Sequence, residues 1–115
     1  MFRSLLIPAA LAGLLWPAPG IGGTFDTAAM LQRMCTGEDT FANGVCVGYV
    51  VAVADVLAEG NAVNRFRSCF TEAVTRGQLA DVVVTWLGQH PDDKRYAAAG
   101  IVAEALSKAF PCTEG

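Results

Sequence analysis

Four cysteines, Cys35, Cys46, Cys69 and Cys112, constrain this chain more than any other feature. A chain of 115 residues is one domain. A domain that small buries a limited core and gains much from covalent staples. An even number of cysteines in a small exported chain reads as two disulfides. No pair has the C-x-x-C spacing that a zinc site prefers. A catalytic thiolate needs a basic neighbour, and the only histidine is His90. Three pairings are open. The favoured one joins Cys35 to Cys46 across a short loop and Cys69 to Cys112, tying mid-chain to the C-terminus.

Export is read from the first residues. Met1-Phe2-Arg3-Ser4 carries one side-chain positive charge, residues 5–16 (LLIPAALAGLLW) form an uncharged apolar run, and Ala18-Pro19-Gly20 is a small-residue exit. That order is the layout of a secretory signal peptide. The run falls short of the roughly 20 residues of a membrane span, and Pro8 interrupts it. The alternative is an uncleaved anchor. The expected division is a signal peptide over residues 1–22, cut near 20–23, then one domain over residues 24–115 with no membrane insertion once mature.

Losing Arg3 from the eight Lys and Arg leaves seven against eleven acids, a net charge of −4. No basic stripe exists for phosphate, so nucleic acid is not an expected partner. A mildly acidic surface suits solubility and a protein partner.

Helical spacing dominates what remains, and strand-like alternation is rare. A short first helix is expected over 26–35, capped by Thr24 or Asp26. Residues 40–59 predict a long central helix whose middle, GVCVGYVVAVADVLA, carries the single charge Asp55. A helix that is apolar nearly all round is buried on most sides or lies at a dimer face. Gly44 and Gly48, four apart, predict a close helix contact there. Residues 61–74 form a connector whose Asn64-Arg65-Phe66-Arg67-Ser68 is polar and exposed. Thr75-Arg76-Gly77-Gln78 fits the capping-box pattern and opens a third helix that His90-Pro91 stops. Asp92-Asp93 are expected to cap a fourth helix running to Phe110. Its inner face is expected to carry Tyr96, Ala99, Gly100, Val102, Ala103, Leu106 and Phe110. The fold class is thus all-α, a compact four-helix domain stapled by two disulfides.

Chemistry-bearing residues are few. Asp55 reads as a buried structural carboxylate with a helix terminus or arginine as partner, ahead of a catalytic acid. His90 lacks a nucleophile or second carboxylate for acid–base work, so a loop-shaping role is expected for it and for Asp92 and Asp93. The same three residues are too crowded for a metal site. Trp86 and Tyr49 fall on apolar helix faces and read as core. No phosphate loop, G-x-S-x-G or H-E-x-x-H pattern occurs. No enzyme activity and no cofactor are expected.

Three segments carry a family resemblance: CVGYVVAVAD (46–55), VTRGQLADVVVTWLGQHPD (74–92) and AAAGIVAEALSKAFPC (97–112). With the leader and Met34-Cys35, their order and spacing resemble the Rap/Tai family of immunity proteins. Ala52 stands where that pattern suggests glycine, and Thr71 where proline often follows the third cysteine. The resemblance implies a periplasmic helical protein, often a homodimer, that neutralises a peptidoglycan amidase effector of a type VI secretion system. Inhibition would come from occluding the active-site cleft with a helix and a loop. The matching residues are Gln89, His90, Asp92, Asp93, Lys94 and Arg95. The competing reading is a small disulfide-linked periplasmic chaperone or stress protein without a toxin partner.

Overall fold

The computed structural model describes residues 24–113. The expected signal peptide therefore lies outside the described residues. Four helices form the domain: α1 (Ala28–Thr36), α2 (Thr40–Ala58), α3 (Arg76–Gln89) and α4 (Ala98–Ala109). A 3-10 turn (Pro91–Arg95) joins the last two. The all-α expectation holds, and both favoured disulfides are present.

Each helix start has a local cause. The Thr27 side chain accepts from the Met30 amide and caps α1. The caps expected at Thr24 or Asp26 are therefore displaced by one to three residues. Asp39 caps α2 by accepting from the Phe41 amide. Thr75 and Gln78 form the reciprocal capping box at α3, at 3.1 and 2.8 Å. Gly60, at φ 90°, ends α2 in the left-handed region.

α4 breaks the pattern. Its N-cap is Ala97, which has no side chain to cap with, and Asp92 and Asp93 lie in the 3-10 turn instead. Residues flanking α1 do the work: the Ala98 amide donates to the Asp26 carbonyl, and the Ala28 amide donates to the Tyr96 carbonyl, both at 2.9 Å. One backbone bridge, Thr27 to Ala97, thus starts two helices at once. Local sequence reading could not see it, because its halves are far apart in the chain.

The core runs through all four helices. Leu31, Val50, Leu57, Val83, Leu87, Val102 and Leu106 are its largest fully buried side chains. Full burial of each such residue contributes about 1.5–3 kcal/mol. Of the expected α4 face, Val102, Ala103 and Leu106 are buried, whereas Tyr96 is 48% exposed. The Cys69–Cys112 disulfide fastens the connector to the chain end, with the Cys69 amide donating to the Phe110 carbonyl. The Phe70 and Phe110 rings pack beside it at 5.3 Å.

α2 corrects two expectations. It buries Cys46, Val50, Ala54 and Leu57, but leaves a side open. Gly44 and Gly48 lie on that open side, and a Cβ added at either meets nothing within 4 Å. They make no close helix contact among the described residues. Asp55 is exposed, not buried, and makes no hydrogen bond or ion pair among the described residues. Water solvates its carboxylate, so the charge needs no protein partner.

Candidate functional site

The end of α3 and the turn after it form one ordered unit. Pro91 cannot continue α3, because its ring clashes with the preceding turn and its nitrogen carries no proton. The chain then tightens into a 3-10 turn, closed by Asp93 amide to His90 carbonyl and Tyr96 amide to Asp93 carbonyl, both 3.0 Å.

Trp86 organises this unit. Its indole stacks on the His90 imidazole, with centroids 3.8 Å apart and planes 13° from parallel. The Trp86 Nε1 proton goes to Asp93 Oδ2 at 3.1 Å. His90 Nδ1 lies 2.9 Å from the Trp86 carbonyl. A carbonyl only accepts, so Nδ1 carries the proton, and in the neutral ring Nε2 is left as an acceptor. The turn is therefore held from inside by one aromatic residue of the preceding helix.

The six residues carried over from the family pattern divide into two groups. Gln89, Asp92, Lys94 and Arg95 are exposed. His90 and Asp93 are half-buried and engaged with Trp86. Arg95 donates to the Tyr96 hydroxyl at 3.0 Å, and its guanidinium lies 5.0 Å from that ring's centre. The hydrogen bond to Tyr96 holds the Arg95 pKa above its ordinary value. Sequence reading missed Trp86 as organiser and Tyr96 as an exposed partner to Arg95. The Trp/His spacing of four on one helix was the available signal for the stack.

A groove of about 400 Å³ continues from the turn between α3 and α4. Val82, Trp86, Ala105 and Ala109 give it apolar walls, and Asp81, Thr85, Gln89 and Lys108 add polar groups. Gln89 and Trp86 belong to both groove and turn. The groove thus combines apolar and polar lining residues. Among the described residues no group of three or more His, Cys, Asp or Glu could hold a metal ion.

The family model of the Rap1a immunity proteins matches residues 27–112. The chain belongs to this family. The match runs from the Thr27 cap to Cys112, so it takes in all four helices and both disulfides. A comparison with curated proteins found no match. A Rap1a immunity protein is a binding protein directed at a toxin effector, and membership implies a role without catalysis. The two disulfides agree with a secreted or periplasmic setting.

Proposed function

We propose that this chain is a periplasmic immunity protein that inhibits a peptidoglycan amidase effector of a type VI secretion system. The observation that carries the reading is the turn at 91–95, exposed on its outer side and locked from within by Trp86. A pre-ordered turn loses little conformational freedom on insertion into a cleft, which favours affinity. Gln89, Asp92, Lys94 and Arg95 would contact the effector's cleft rim, with His90 and Asp93 holding their spacing. Inhibition is by exclusion of substrate. The expected signal peptide would deliver the chain to the compartment in which a cell-wall toxin acts.

The open side of α2 supports a homodimer. Phe41 is 78% exposed and Val56 43%, and Gly44, Gly48 and Ala52 lie on that same side between them. A second copy crossing there would cover apolar surface that stays exposed among the described residues.

The experiment is co-expression of the full chain with an amidase effector directed to the periplasm. Survival of cells that otherwise lyse supports the reading. Lysis at the same rate, with the immunity chain present in the periplasm, rules out this effector class.

A further inference from the structure

The connector between α2 and α3 contains a second ordered projection, on a different segment from the 91–95 turn. Val63 and Phe66 exchange both backbone hydrogen bonds, at 3.0 and 2.9 Å, which closes a two-residue hairpin. Its central residues, Asn64 and Arg65, sit at φ 51° and 69°. Both lie in the left-handed region, as a type I′ turn requires. Asparagine suits the first position. The second is ordinarily glycine, because a Cβ there crowds the following carbonyl. Arginine stands at that strained position.

The surroundings fix the turn rather than relax it. Val63 and Phe66 are packed against the core. The Arg67 guanidinium donates to the Gly60 carbonyl at 2.6 Å and ties down the base. The Asn64 amide lies over Gly100 of α4, where an added Cβ would come within 2.9 Å of its nitrogen. Yet Arg65 itself is exposed and makes no hydrogen bond or ion pair among the described residues. Strain held in place around an unengaged side chain points to a use for that side chain.

We propose that Arg65 is a second contact of this immunity protein, presenting its guanidinium to a carboxylate on the effector. This rests on the effector reading above. A planar fork held on a rigid turn suits bidentate carboxylate recognition. Two arginines, of which Arg67 is engaged with the Gly60 carbonyl, on a chain with eleven acids do not make the clustered positive charge that an anionic membrane or a polyanion needs. Gly100 is a positioning residue: it leaves room for Asn64 and so sets where Arg65 points.

The test measures effector binding and thermal stability of the full chain and its variants at low and high salt. Arg65→Gly relieves the strained φ, so its Tm rises by about 3 °C, while its Kd weakens about tenfold at low salt. That difference shrinks at high salt, where exposed charges are screened. Arg65→Lys keeps part of the affinity, having charge without the fork. Gly100→Ala weakens binding several-fold with no fall in Tm, because alanine favours the helix while displacing Asn64. The proposal is overturned if Arg65→Gly binds as tightly as wild type, or gains no stability. It is also overturned if Arg65→Gly loses self-association alone, which would place Arg65 between copies of this chain. Failure of the wild-type chain to bind the effector at all would remove the effector reading and this contact with it.

Discussion

The Trp86 indole lies flat against the His90 imidazole one helical turn later, 3.8 Å away, and reaches past it to Asp93. A half-buried tryptophan thereby joins the core to the exposed turn. Replacing Trp86 with alanine removes core packing, the stack and the hydrogen bond together. Stability in urea should fall by about 2–3 kcal/mol, less than a fully buried tryptophan would cost. Trp86→Phe keeps an aromatic ring and loses the bond to Asp93, so amide exchange across 91–95 should quicken with a smaller stability loss. Unchanged exchange in that variant would show that the turn holds itself.

The two disulfides close loops of different length, with sequence separations of 11 and 43. By chain entropy they contribute about 3 and 4 kcal/mol, respectively. Paired Cys69→Ala and Cys112→Ala substitutions should therefore destabilise more than the Cys35, Cys46 pair, read from urea midpoints at constant m. The reverse order would show that the connector is held by Phe70, Phe110 and backbone bonding rather than by the staple.

Burial raises the Tyr49 pKa above its ordinary value of 10.0, the Asp26 carboxylate adds to this, and the Ala99 backbone opposes it. A raised value means the folded chain holds the phenol proton where the unfolded chain has lost it. Stability from this source is complete below about pH 10 and is lost as pH rises through the folded value. Tyr49→Phe should lose less stability than wild type between neutral pH and strongly alkaline pH in denaturant titrations. Parallel curves for the two proteins would contradict it.

Both halves of the Thr75–Gln78 capping box are made. Thr75→Ala should cost about 1 kcal/mol, measured as a lower urea midpoint. An effect below about 0.3 kcal/mol would mean the Arg76 end of α3 is held by packing instead.

Much of this was legible in the sequence because the signals are local. The Thr75 box, the Pro91 stop and the Gly60 exit each act within a few residues, so α3 and both ends of α2 were placed closely. The pairing Cys35–Cys46 followed from a short loop. What escaped has one physical cause: α2 is apolar on every side, so its periodicity does not say which side faces the core. Gly44, Gly48 and Asp55 were accordingly assigned to packing and proved exposed. The Thr27–Ala97 bridge escaped because it joins distant segments. For the proposed site, the family pattern named the segment 89–95, whereas the split between its exposed residues and the His90–Asp93 scaffold needed the position of Trp86. The Asn64-Arg65 turn looked like a plain polar connector, since arginine rather than glycine stands at its second position.

The proposed role of the exposed, pre-ordered turn at 91–95 is to block a cell-wall amidase. Its most direct test is hydrolysis of purified peptidoglycan by the amidase effector, titrated with the full chain and with a Lys94→Glu, Arg95→Glu variant. Stoichiometric loss of hydrolysis is expected with the wild-type chain, and a large rightward shift for the variant at unchanged fold stability. Undiminished hydrolysis at excess wild-type chain, or inhibition by the variant equal to wild type, would contradict it.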